Sequence, residues 1–225
     1  MSPATHEPGE LFGPGPMTKV RRLPERARYD RASVHAILDE GWVCHLGFTA
    51  GGRAAVLPTL YARVEDILYL HGAPANHALR SAEAATGACV TVTLVDGLVL
   101  ARSAFHHSVN YRSVVAFGPA NEVTDVEEKR AALLAIVDHV LPGRARDARP
   151  PSNEELRATR VTKFVIAEAS VKIRAGGPKE GPEDLALDIW AGELPLSVVA
   201  GEPVPDGDVM APVPGYVSRY GRPRV

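Results

Sequence analysis

Apolar and polar positions along the 225-residue chain change period several times, and each change marks an element. In "RASVHAILDE" the residues Val34, Ile37 and Leu38 recur at i, i+3, i+4, which predicts a helix with Asp30 as N-cap and Gly41 as its stop. From Trp42 the pattern shortens. "WVCHLGF", "AAVLPTLYARV" and "ILYL" are apolar and β-branched, and "TAGGR" and "ED" between them predict hairpin turns. A short helix "NHALRSAEA" follows, then "ACVTVTLV", a break at Gly97, "LVLA", and a strand from Tyr111 to Phe117. In "TDVEEKRAALLAIVDHVLPG", Thr124 and Glu127 have capping-box spacing and Leu133, Ile136, Val137, Val140 and Leu141 are expected to form the buried face of a longer helix. "NEELRAT" predicts one more short helix, and "KFVIAEASVKIR" one or two closing strands. Sequential short strands with tight turns predict a mainly β fold, an antiparallel sheet or β-barrel with α-helices, and not alternating βαβ units.

The two ends differ from this middle. Residues 1–23 are rich in Pro and Gly and are expected to form a disordered extension, with Met17 as an alternative start; the folded domain is expected over 24–175. Residues 176–225 are again Pro- and Gly-rich but carry Ile189, Trp190, Leu194 and Tyr216, so this tail is expected to lie on the domain or on a partner subunit.

Composition narrows the function. With 45% hydrophobic and 23% charged residues the chain can build one sizeable core, and 25 basic against 27 acidic residues give no field that calls for nucleic acid or a membrane surface. No apolar run approaches the ~20 residues of a membrane span, and the first residues lack the pattern of a signal peptide. Cys44 and Cys89 lie in strand-like segments without a CxxC, as buried free thiols in a reducing cytoplasm would.

Among eight histidines, His106-His107 form the densest pair, but neighbours on a strand point to opposite faces and no carboxylate stands at ligand spacing, so no metal site is expected. His45, inside an apolar strand, reads as a core residue; His35 and His139 sit on helices. There is no GxSxG, P-loop or GxGxxG, which sets aside several hydrolase, NTPase and dinucleotide-fold chemistries. Two segments keep chemical content. In "DILYLHGAPANHALRSA" a strand ends at His71-Gly72 and a helix starts at Asn76-His77, where unpaired N–H groups and the side chains of Asn76, His77 and Arg80 suit a phosphate. A plain strand–loop–helix connection explains the same pattern equally well. In "NYRSVVAFGPA", Arg112 and Ser113 open an apolar strand, where the arginine binds either an anion or a carboxylate at the rim.

Taken in order, "RLPERARYD", "WVCHLGF", "VLPTLY", "LYLHGA", "NYRSVVAFG" and "EEKRAALLAIVDHVLPG" resemble the pyridoxamine 5'-phosphate oxidase-like superfamily, in its FMN-binding branch near the nitroimidazole-resistance proteins. The resemblance runs from about Pro24 to Arg174 and more loosely into "LDIWAGELPL". It implies a six-stranded antiparallel split barrel and a homodimer with FMN in clefts between subunits. It makes Val56, Leu57, Pro58 and Thr59 the flavin wall, with Leu70, His71 and Gly72 on the adjoining strand. Asn76 and His77 stand where the family carries an Arg-Lys pair for the phosphate, and "YRSVV" nominates Arg112 and Ser113 for the other subunit's flavin. Asn-His removes two permanent cations, which leaves Arg80, Arg112 and the helix dipole to compensate and opens the way to another flavin.

The implied activity is an FMN-dependent oxidoreductase acting on a small molecule over the flavin, with His71 as proton donor or stacking partner. The alternative is a non-enzymatic binder of flavin, or of haem through a histidine such as His71, for storage, sensing or scavenging. A deazaflavin-dependent reductase is a weaker third reading, since it wants more basic residues along its cofactor tail.

Overall fold

The computed structural model describes residues 11–85 and 87–221. Along the chain run β1 (Ala27–Arg28), α1 (Arg31–Glu40), β2 (Val43–Ala50), β3 (Arg53–Val64), β4 (Ile67–Gly72), α2 (His77–Ala84), β5 (Ala88–Leu100), β6 (Ser108–Gly118), β7 (Ala120–Glu122), α3 (Val126–Val140), β8 (Arg160–Val165), β9 (Glu168–Arg174) and β10 (Gly192–Pro195). Short helices also span Arg144–Asp147 and Asn153–Arg157.

The strands form one sheet in the order β1-β9-β6-β5-β2-β3-β4-β8-β7, with β10 attached to β5. Every pairing is antiparallel. Its closure rests on two bent passes. β6 continues through Pro119 into β7, and β8 continues through Ile166-Ala167 into β9, so each pass leaves one end of the sheet and joins the other. Counting each as one strand, six long passes build the barrel, and β1 and β10 are additions. At the crossing, Val165 N–H donates to Pro119 O (3.0 Å) and Ala167 N–H to Phe117 O (3.0 Å). Gly118 lies there so tightly that a Cβ would fall 1.8 Å from Val165 O.

Local chemistry explains the connections. Gly51 and Gly52 both take positive φ (55° and 75°), as a two-residue hairpin between β2 and β3 requires. The β3–β4 turn instead forces Glu65 to φ 52°. Asp30 caps α1 by accepting from Ser33 N–H at 2.8 Å. In α3 the cap is Asp125, which accepts from Glu128 N–H at 2.8 Å, one residue beyond the expected Thr124.

Alternation along the strands divides the side chains. Inside lie Cys44, Leu46, Tyr61, Leu68, Leu70, Val90, Val92, Val114, Ala116, Phe164 and Val171, closed by Val34, Ile37 and Leu38 of α1 and by Leu79 and Ala82 of α2. A second cluster sits outside the barrel wall, where Ala132 and Ile136 of α3 cover Ala62, Tyr69 and Val161. The thiols are free as expected: Cys44 is buried and pushed up to about 12 by that burial, and Cys89 is half-buried. His45, expected in the core, is on the exposed face opposite Pro58 and Thr91, because the buried positions of β2 are Cys44 and Leu46.

Against the disordered extension expected for residues 1–23, the segment from Leu11 onward packs on the domain; residues 1–10 lie outside the described residues. Leu11 bridges to Asp30, Phe12 enters the core, and the Arg31 guanidinium lies 4.3 Å over its ring. The tail packs on its own barrel. β10 pairs with the second half of β5, and buried Asn110 and Arg174 hold the tail at Glu193 (2.6 Å) and at the Gly176 carbonyl (2.7 Å). Tyr216 donates to Asp147 (2.6 Å) and Tyr220 stacks on Trp42. No helix among the described residues is long and apolar enough to cross a membrane.

Because the Gly118 clash is with backbone, a side chain there forces the two passes apart. Gly118→Ala is expected to lower unfolding stability by about 1–3 kcal/mol, the usual cost of overpacking, as a fall in the denaturant midpoint at unchanged m-value.

Candidate cofactor site

β3 is twelve residues long, but β4 pairs with it only from Tyr61 to Val64. Residues 53–60 therefore bond to β2 on one side and present a free backbone edge on the other. Val56, Leu57, Pro58 and Thr59 all lie on this edge, the first three exposed and Thr59 half-buried. The chain from the end of β4 turns into α2. There Asn76 Oδ1 accepts from Leu79 N–H (3.1 Å), capping the helix. The turn closes tightly over Gly72, where a Cβ would fall 2.6 Å from Asn76 Nδ2. His77 and Arg80 stand exposed on the first turn, with His77 Nδ1 3.5 Å from Ser81 Oγ.

A residue that sequence reasoning missed fixes the position of α2. Glu83, on its last turn, accepts from Arg160 Nε (3.1 Å) and from the buried Thr162 hydroxyl. Arg160 pairs with Gly72 in the β4–β8 ladder. One carboxylate thus ties the helix to the strand beside the turn that starts it.

The outer face of β2, β3, β5 and β6 is open. Val43, Val56, Leu60 and Val95 are exposed large apolar residues on it, and Ser113 shares it, opposite Thr93 and Lys172. At one end this face deepens into a 930 Å³ trough lined by Phe48, Val56, Cys89, Phe117 and Glu168, with Met17 of the N-terminal segment at its edge.

Leu70 and His71 part company. Leu70 is fully buried in the barrel core, so only its backbone can face a ligand. His71 points outward, toward α3, into a separate cavity of 310 Å³ formed with Leu133, Ile136, Val137, Ala148, Pro151, Thr159, Arg149 and Glu155. This cavity shares no lining residue with the trough. His71 Nδ1 is buried and has no hydrogen-bond partner among the described residues. Burial lowers its pKa below the ordinary histidine value, so the ring is neutral at pH 7. A buried imidazole nitrogen without a partner is costly unless something binds it. The expectation that His71 faces the flavin's reacting region does not fit this placement.

Arg112 is also redirected. It lies on the inner side of β6, where Nε and Nη2 donate to Asp96 (2.9 and 2.8 Å) and Nη2 also reaches Glu40 Oε1 (2.8 Å). Both carboxylates raise its pKa. The guanidinium is committed to the barrel end, the rim ion pair and not the anion seat. Three further histidines have structural partners: His35 with Asp66 (2.9 Å), His139 with Gly41 O (2.6 Å), and His107 with Ser103 O (3.1 Å). No cluster of metal-ligating side chains occurs among the described residues.

A closed antiparallel barrel with a split strand edge beside a helix start defines the class, a split barrel. Residues 30–173 match the family model described as pyridoxamine 5'-phosphate oxidase. The chain belongs to the pyridoxamine 5'-phosphate oxidase-like FMN-binding split-barrel family. Among solved structures, the flavocytochrome Anf3 of Azotobacter vinelandii is 38% identical over 91% of this chain and 96% of its own, with a TM-score of 0.84. A FAD and haem binding protein of Mycobacterium smegmatis is 33% identical over 85% of this chain and 95% of its own, at 0.80. A protein assigned to 5-nitroimidazole antibiotic resistance in Bacteroides thetaiotaomicron is 25% identical over 65% of this chain and 86% of its own, at 0.56. Comparison with curated protein sequences gives no significant match.

Removing the guanidinium leaves two carboxylates facing each other. Arg112→Met is expected to destabilise the fold by about 2–3 kcal/mol, less than a fully buried pair loses, while flavin affinity measured on the folded variant stays within about twofold of the parent, since such an uninvolved site adds independently.

Proposed function

We propose that the protein binds a flavin and a haem, the flavin along the free edge of β3 at the start of α2 and the haem beneath α3 with His71 as iron ligand. The observation that carries the reading is that His71, whose buried Nδ1 has no hydrogen-bond partner among the described residues, lines a cavity walled by Leu133, Ile136, Val137, Ala148 and Pro151. A haem asks for such a site: an apolar slot and one neutral imidazole that no other group holds. The two relatives that share most of this chain support it, one being a flavocytochrome and the other a FAD and haem binding protein. The relative assigned to nitroimidazole resistance matches a shorter part of the chain.

We take the flavin as FAD in place of FMN. The terminal phosphate of FMN carries a charge near −2, as a phosphate monoester does, and the family's Arg-Lys pair suits it. Here the seat holds Asn76, already spent on the cap, an exposed histidine and Arg80, with Arg112 engaged elsewhere. A diphosphate bridge with one charge on each phosphorus asks less of such a seat.

When bound, the flavin supplies two-electron and the haem one-electron chemistry. The protein's own part would be to hold the flavin along the free edge of β3, keep a neutral imidazole beneath α3, and exclude water there with α3 and the 148–159 segment. Among the described residues no acid–base pair stands beside the edge of β3, so a redox carrier or sensor fits better than an enzyme that must protonate its substrate through His71. We also propose a homodimer that buries the open outer face around Val43, Val56 and Val95, as the family resemblance implies.

The spectrum of the purified protein supplied with haemin tests the haem. A Soret band that is lost in His71→Ala while flavin absorbance stays is expected; a band unchanged in that variant overturns the assignment. The released flavin should have the mass of FAD. Protons compete with iron for the imidazole, and burial lowers the His71 pKa. Haem affinity is therefore flat above the ordinary histidine range near ~6.5 and falls only as pH drops below it through the lowered value. For the dimer, light scattering should return twice the chain mass for the parent and a monomer for Val56→Glu.

A further inference from the structure

We infer that Arg149 is the residue that receives a carboxylate side arm of the haem, exchanging its present partner Glu155 for it. The inference deepens the haem reading and rests on it. Arg149 lines the His71 cavity, with no other arginine and no lysine among the described residues that line it. Its guanidinium donates to Glu155 (3.0 and 2.7 Å) and to the Pro150 carbonyl (2.9 Å). Both side chains are more than half exposed, and ion pairs at that exposure hold weakly.

The exchange leaves nothing orphaned. Glu155 also accepts from the Ser152 N–H at 2.7 Å, because it is the third helical residue of a capping box at the start of the helix Asn153–Arg157. That bond is independent of Arg149 and keeps the carboxylate paired after the guanidinium leaves. The cavity is lined by buried Ile136 and the half-buried Leu133, Leu134, Ala148, Pro151 and His71, while Arg149 and Glu155 are exposed. This polarity matches a flat apolar macrocycle whose two carboxylates point to water. A planar guanidinium binds a carboxylate through two parallel N–H bonds, so the new pair has the geometry of the old one.

Haemin and its dimethyl ester, in which both carboxylates are blocked, separate this role from a structural one. Both probes are titrated into the full chain, followed by the Soret band, for the parent, Arg149→Met, Arg149→Lys and His71→Ala. Arg149→Met is expected to weaken haemin binding about tenfold, as for loss of a charge-assisted bond, and to leave the dimethyl ester unchanged, with Arg149→Lys between parent and Met. Equal haemin affinity in the parent and Arg149→Met overturns the inference while the haem reading stands. So does an equal loss for haemin and ester, which marks a general disturbance of the cavity. A parent that gives no Soret band, or a band indifferent to His71→Ala, overturns the haem reading and this inference with it.

Discussion

The closure of the sheet at Gly118 is the constraint on which the rest depends. Two passes cross there through single hydrogen bonds on either side of a residue with no side chain, and the crossing makes a barrel of what would otherwise be an open sheet. Closure gives Cys44, Leu46, Val90 and Val114 an interior. It also carries β7 and β8 round to β4, so that Gly72 and His71 gain the partners Arg160 and Val161. The site hangs on that placement. α2 starts at the end of β4, Glu83 clamps it to β8, and the edge of β3 stays free because β4 is too short to cover it.

Within that frame, two kinds of surroundings arise on one strand. Leu70 faces inward and becomes core; His71, one residue on, faces outward and is roofed by α3. Strand alternation alone brings this about. The flavin and haem sites proposed at the backbone edge of β3 and under α3 would then be served by neighbouring residues without sharing a cavity.

Much of the architecture was legible in local pattern. The α1 cap at Asp30, the Gly-Gly hairpin and the antiparallel order depend on neighbours within a few residues, and the structure agrees with each. Helix α3 forms where its period predicts, but its cap shifts by one residue and it buries Ala132 and Ile136 while Val137 of the expected face is exposed. What was not legible depends on contacts between distant segments. Arg112 stays open between an anion seat and a rim ion pair until Glu40 and Asp96, 72 and 16 residues away, fill its donors. His45 reads as core because its strand is apolar on both sides, yet the pleat turns it to the open face. Phe12 sits among prolines and glycines that suggest disorder, and its place in the core depends on Tyr29 and Ala169. The cavity around His71 is assembled from α3 and the 148–159 segment, and no spacing in the sequence announces it.

The attachment of β10 has a consequence for how the protein tolerates being cut. The second half of β5 would otherwise end as a row of unpaired N–H and C=O groups, beside the exposed Leu98 and Val95, and β10 covers that row with its four residues. A chain shortened to its barrel at residue 175 would uncover this ladder and remove Glu193 from the buried Asn110. Such an edge is a template for pairing with other chains. The tail is therefore a guard against strand-to-strand association, and a fragment trimmed to the domain boundary that composition suggests would be the more aggregation-prone molecule.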